Sequence, residues 1–172
     1  MNKYVLSVLV ENHSGVLSKI SGLFSRRGYN IHSLTVGVTE DPEISRMTIV
    51  IIGDEYMVEQ INKQLNKLVE VIKVVELDTN KSVYRELALV KVTVDMNTKS
   101  SITETVNIFR ANIVDLNNKS MTIEITGDEG KVSAFINLMK PYGIKEIVRT
   151  GVTALERGCK SIDIEGIECK FA

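Results

Sequence analysis

Apolar residues alternate from the start of the chain. Tyr4, Leu6, Val8 and Val10 interleave with Val5, Ser7 and Leu9, which predicts a strand over Tyr4–Val10 covered on at least one face. The spacing then lengthens: Val16, Leu17, Ile20, Leu23 and Phe24 recur at helical intervals. Ser14 is placed to cap that helix, and Gly28 stops it behind the basic pair Arg26–Arg27. Ile31–Val38 predicts a second strand, Glu40–Glu43 a turn containing Pro42, and Met47–Ile52 a third strand. Asp54 caps a second helix with the stripe Val58, Ile61, Leu65 and Leu68, and Val69–Leu77 closes the unit as a strand.

The same order then recurs. Tyr84–Val94 reads as a strand, and Ser101-Ile102-Thr103-Glu104 as a capping box for a helix carrying Ile102, Val106 and Phe109. A hairpin turns at Asn117-Asn118. A helix from Asp128 carries Val132, Phe135, Ile136 and Met139 as far as Pro141, and a strand follows at Lys145–Arg149. Met47-Thr48-Ile49-Val50-Ile51-Ile52-Gly53-Asp54-Glu55 also reads almost identically to Met121-Thr122-Ile123-Glu124-Ile125-Thr126-Gly127-Asp128-Glu129, 74 residues on. The expected fold class is therefore α+β, with two ferredoxin-like βαββαβ domains over residues 1–78 and 79–158 and a tail over 159–172. Domains of this size bury little of their surface, and open four-stranded sheets leave edges to cover, so at least a homodimer is expected.

Composition narrows the functional classes. A net charge of −1 leaves no basic surplus for a phosphate backbone, which argues against nucleic acid as a partner. No apolar run reaches the roughly 20 residues of a membrane helix. Cys159 and Cys169 fit neither a disulfide framework nor a metal or redox pair, so a cytoplasmic location is expected. The two histidines, His13 and His32, lie near no cysteine in sequence, and no hydrolase, zinc-protease, P-loop or Rossmann motif is present. The expectation is a protein that is not itself an enzyme. Met47 and Met121 read as core, and Lys63, Lys67 and Lys73 with Glu59 and Glu70 as a solvated face.

The stretch that carries chemistry is Glu11-Asn12-His13-Ser14-Gly15-Val16-Leu17, between the first strand and the first helix. A helix start offers N–H groups and partial positive charge to a carboxylate. Gly15 lets a ligand approach the backbone, and Asn12 brings both a donor and an acceptor, which suits an α-amino acid. The start of the second strand is expected near this loop, so that Asn30 joins Asn12. The same residues also fit local roles: Asn12 as a turn cap, Asn30 in a strand-entry bend and His13 as a solvated loop histidine.

Asn12-x-x-Gly15-Val16-Leu17 followed by Gly28-x-Asn30-Ile31 resembles the ligand loop of the ACT domain family. A narrower resemblance runs over residues 2–158, to the small subunits of acetolactate synthase. Its strings are Leu6–Asn12, Leu23–Ile31, Ser33–Val36, Asp41-Pro42-x-x-Ser45-Arg46-Met47-Thr48-Ile49, Lys63-Gln64-Leu65-x-Lys67-Leu68, Arg85–Val92 and Leu155–Gly158.

The resemblance implies a regulatory chain that stimulates a catalytic large subunit and confers feedback inhibition, usually by valine, in branched-chain amino acid synthesis. It implies no cofactor in this chain: thiamine diphosphate, Mg²⁺ and FAD belong to the large subunit. By position, Asn12 and Asn30 would hold the ligand's polar ends, and the backbone of His13, Ser14, Gly15, Val16 and Leu17 would receive the carboxylate. Val16 and Ile31 would face the aliphatic side chain, at an interface between two side-by-side ACT domains. The resemblance does not fix which branched-chain amino acid is sensed. The alternatives are a tandem ACT-like sensor acting on another enzyme or transcriptional system, an RNA-binding ferredoxin-like domain and a small hydrolase. The second lacks strand aromatics beyond Tyr4, and the third lacks a convergent nucleophile set.

Overall fold

The computed structural model describes residues 2–158 and 162. The chain forms two compact units, each built on a βαββαβ sheet of four antiparallel strands with two helices on one face, a fifth strand joining the second sheet. In the first, the order is β1 (Asn2–Glu11), α1 (Val16–Arg27), β2 (Ile31–Val38), β3 (Ile44–Gly53), α2 (Glu55–Leu65) and β4 (Val71–Glu76), with strands side by side as β2-β3-β1-β4. In the second it is β5 (Ser82–Thr93), α3 (Lys99–Ile108), β6 (Asn112–Leu116), β7 (Ser120–Gly127), α4 (Glu129–Met139) and β8 (Ile144–Arg149), ordered β6-β7-β5-β8. The ferredoxin-like architecture predicted from the alternating spacings is present twice.

Burial explains why β1 and β3 take the centre of the first sheet. Val5 to Val10 are buried without a break, so β1 is covered on both faces. Leu6, Val8 and Val10 with Met47, Ile49 and Ile51 meet Val16, Ile20, Leu23, Phe24, Val58, Ile61 and Leu65 from the helices. Each fully buried side chain of this size contributes about 1.5–3 kcal/mol. The second core repeats the plan with Ala88, Val90, Val92, Met121, Ile123 and Ile125 under α3 and α4, where Phe109 and Phe135 meet edge to face at 5.4 Å. Met47 and Met121 are buried, as their positions predict.

The repeated strings occupy equivalent places. Asp54 Oδ1 accepts the Met57 N–H and Asp128 Oδ1 accepts the Lys131 N–H, both at 2.8 Å. Gly28 ends α1 with φ +69°. Its N–H reaches the Ser25 carbonyl and that of Tyr29 the Phe24 carbonyl, which is a Schellman ending.

Four details differ from the sequence reading. Gly15, not Ser14, is the N-cap of α1. The α3 helix starts before Ser101, because Asp95 and Thr98 fix its start a turn earlier and leave the supposed capping box inside it. Glu70 lies beyond α2 and pairs with Lys19 instead of standing on a solvated helix face. Finally, a short strand β9 (Thr153–Glu156) follows β8 and pairs with β5, while the compact second unit spans Tyr84–Gly151 and Val152 is grouped with the first. Val152 is held there by its N–H on Ser33 Oγ at 3.1 Å and its carbonyl on Thr35 Oγ1 at 3.0 Å. Apart from Ile162, the tail 159–172, with Cys159 and Cys169, lies outside the described residues. No helix among the described residues is long and apolar enough to cross a membrane.

Candidate functional site

The segment from Asn12 to Gly15 links the end of β1 to the start of α1 and is exposed throughout. Two backbone bonds anchor its entry: Glu11 N–H to the Glu70 carbonyl at 3.0 Å and Asn12 N–H to the Glu43 carbonyl at 2.7 Å. Gly15 then turns the chain with φ +91°, a left-handed conformation that glycine adopts without steric cost. The first turn of α1 has no side-chain cap and no acidic residue.

Each of the other three α-helices has a carboxylate bonded to backbone N–H groups at its start or just before it. Asp54 and Asp128 cap α2 and α4. At α3, Asp95 Oδ1 accepts the N–H groups of Asn97 and Thr98, both at 2.8 Å, and these bonds hold its carboxyl below the usual range. The Asp95 loop occupies the same place in its unit. Thr93 and Val94 N–H groups bond the Gly143 and Lys119 carbonyls, as Glu11 and Asn12 bond Glu70 and Glu43. Neither α1 nor α3 has a side-chain cap or an acid in its first turn, but α3 has the Asp95 carboxylate on the N–H groups just before it, and no such bond stands before α1 among the described residues.

Asn12 also performs the turn-capping role open to it. Its Nδ2 donates to the Pro42 carbonyl at 2.7 Å, and its Oδ1 accepts the Ser45 hydroxyl at 3.0 Å. Sequence reasoning missed Pro42 and Ser45 as neighbours of the loop, although both stand in the Asp41–Arg46 string.

His13 lies between two acceptors, the Ser14 carbonyl on Nδ1 and a Glu11 carboxylate oxygen on Nε2, both at 3.0 Å. Serving both as a donor requires both ring protons, so its pKa is raised, the Ser14 carbonyl contributing most and Glu11 next. Nearby, Lys19 bonds Glu70 and holds that carboxyl below its ordinary value.

Val16 and Leu17 diverge. Val16 is 3% exposed and belongs to the core, whereas Leu17 is 45% exposed. The apolar surface beside the loop is therefore that of Leu17, since Val16 starts the buried stripe of α1. Ile31 is half-buried against the same core.

The expected meeting of Asn12 with Asn30 does not occur within one chain. Glu11 pairs with Ile44, whereas Ile31 pairs with Ile51 on the same strand. The two levels are roughly 23 Å apart at about 3.3 Å per residue. The cause is topological: β1 and β2 both run antiparallel to β3 and hence parallel to each other, so the start of β2 returns to the start of β1. Among the described residues no cluster of His, Cys, Asp and Glu is arranged to hold a metal ion.

Known proteins share this arrangement. Residues 6–73 match the family model of the AHAS small subunit-like ACT domain, and residues 85–158 that of the small subunit of acetolactate synthase. A probable acetolactate synthase small subunit from Archaeoglobus fulgidus is 58% identical over 158 residues, covering 92% of this chain and 99% of that one. The acetolactate synthase small subunit of Mycolicibacterium smegmatis is 52% identical, covering 92% and 94%. The crystal structure of the acetolactate synthase small subunit from Thermotoga maritima superposes with a TM-score of 0.87 at 46% identity, covering 92% of this chain and 99% of that one. Sharing more than half its residues with one such protein, and its fold with another, over nearly the whole length of each, the chain belongs to the acetolactate synthase small-subunit family.

Proposed function

We propose that this chain is a non-catalytic regulatory subunit that binds a branched-chain amino acid, valine first, at a seam between two copies and so restrains a catalytic large subunit. The observation that carries the reading is the start of α1. It presents N–H groups with no acid of its own, while the equivalent position in the second unit is taken by Asp95. A free carboxylate is the natural complement of such a start.

The sheet topology supports a second copy in this reading. Strand β2 is an edge of its sheet, and an antiparallel pairing of β2 with its counterpart removes that edge. Val38 is level with Val10, since both pair with Ser45. Reversing a partner β2 about the strand centre therefore carries Asn30 of the partner subunit to the Asn12 end. Two equivalent sites form, each with a helix start and Asn12 from one protomer and Asn30 from the other. Leu17, which is exposed, and Ile31, which is half-buried, are aliphatic residues close to those groups in sequence. A ligand joining two protomers favours one arrangement of them, and couplings of this kind are typically about 1–3 kcal/mol. One charge-assisted hydrogen bond is of that size, about 1.5–3 kcal/mol.

The partner in this reading is a cytoplasmic large subunit carrying thiamine diphosphate, Mg²⁺ and FAD, and this chain contributes no group to the chemistry. The test is acetolactate formation by the large subunit with wild-type chain, Asn12→Ala or Asn30→Ala, with and without valine. Stimulation is expected with all three and inhibition only with the wild type. Full inhibition retained by both variants overturns the site.

A further inference from the structure

We propose that Ser45 is a positioning residue of the amino-acid site: its hydroxyl, with the Pro42 carbonyl, holds the Asn12 amide so that an N–H is left to meet the ligand's carboxylate. This rests on the function proposed above and assigns which end of the ligand Asn12 reads.

The orientation of the amide follows from donor and acceptor chemistry. The Pro42 carbonyl only accepts, so the atom 2.7 Å from it must be the amide nitrogen. The amide oxygen then faces Ser45, whose hydroxyl donates to it at 3.0 Å. Turning the amide over would set its oxygen against the Pro42 carbonyl and give up that bond, so the Pro42 carbonyl fixes the orientation and the Ser45 hydroxyl donates to the oxygen it is left facing. The backbone beneath is fixed as well, since the Asn12 N–H bonds the Glu43 carbonyl. Ser45 is 6% exposed on β3, so its hydroxyl has few other partners and holds one geometry.

With one N–H on Pro42 and the oxygen on Ser45, the amide retains one N–H and one oxygen lone pair. The N–H groups at the start of α1 draw a carboxylate to this loop, so the remaining Asn12 N–H is assigned to that same end of the ligand. The Asp41-Pro42-x-x-Ser45 string thereby acquires a purpose: the β2–β3 turn clamps the loop that precedes α1.

The test is calorimetric titration of the full chain with L-valine, L-leucine and L-isoleucine, using wild type, Ser45→Ala, Ser45→Thr, Asn12→Ala and the Ser45→Ala/Asn12→Ala double variant, with thermal melting of each. Ser45→Ala is expected to weaken binding about tenfold, and Ser45→Thr, which keeps the hydroxyl, to restore it to within about threefold. In the double variant binding should be no weaker than in Asn12→Ala, because Ser45 acts only through Asn12. Wild-type affinity in Ser45→Ala, or losses that multiply in the double variant, overturns the proposal while leaving the site intact. Absence of binding by the wild type to all three amino acids overturns the site and this proposal together. Should Ser45→Ala melt well below wild type, Ser45→Cys, similar in size but a weak donor, replaces it under the same criteria.

Discussion

Asn12 and Asn30 of one chain stand at opposite ends of the four-stranded sheet, Asn12 just past the Glu11–Ile44 pair and Asn30 just before the Ile31–Ile51 pair. A site that uses both must draw them from two protomers. Complementation follows: a heterodimer of an Asn12→Ala chain and an Asn30→Ala chain contains one site with both asparagines and one with neither. Neither variant's homodimer has a complete site. Mixed, differently tagged chains purified as heterodimers should regain binding at one site per dimer in a valine titration, and failure to regain any would place the two residues in separate functions.

Gly15 separates backbone strain from ligand chemistry. A Cβ built there meets nothing within 4 Å, so a side chain fits, but φ +91° costs an L-residue about 1–2 kcal/mol. Gly15→Ala should lose stability of that order in urea unfolding and retain most valine affinity. Gly15→Asp brings a carboxylate to the start of α1, as Asp95 does at α3, and should weaken valine binding at least tenfold for a similar stability loss. Equal affinity in the two variants would count against a carboxylate at the helix start.

His13 predicts a pH dependence. The Ser14 carbonyl, then Glu11, raise its pKa, Glu70 adds negative field, and Lys19 is engaged by Glu70. A pKa raised by folding means that the stabilisation is complete below the unfolded value of about 6.5 and disappears as pH climbs through the folded value. Melting temperature should fall slightly more between about pH 6 and pH 8.5 for wild type than for His13→Gln. A His13 imidazole titrating below 6.5 by NMR would contradict the geometry.

Arg149 and Glu86 test the second unit. Glu86 is 4% exposed and its carboxylate takes two donors from Arg149, Nη2 at 2.9 Å and Nε. Arg149→Met strands that acid, and because the Arg149 side chain is itself 39% exposed the loss should be about 1–3 kcal/mol in urea unfolding, below that of a fully buried pair. Arg149→Met/Glu86→Gln should recover part of it.

Local signals in the sequence located most elements. The shift from alternating to helical spacing at Val16 separates β1 from α1, and the matched Gly-Asp-Glu strings mark two equivalent caps, Asp54 and Asp128. The repeat thus reveals the doubled fold before any coordinate. What escaped depends on distant pairings. Ser14 has the right chemistry for a cap, but the turn places Gly15 at the helix start. Ser101 satisfies the capping-box pattern, yet Asp95 reaches the backbone first. Spacing alone could not send Val16 to the core and Leu17 to the surface, since both fit the apolar stripe. The separation of Asn12 from Asn30 follows only from the direction of β2, and the Asn12–Ser45 bond spans 33 residues.

On the proposed function, Asp95 sets the two halves apart. An anion that is covalently part of the chain is always present at its post, so no solute can compete for it and the post cannot register a concentration. On that reading, of two modules built on one plan, the half that supplies its own anion is ballast and the half without one is a gauge. Saturation with valine should accordingly stop at one molecule per protomer.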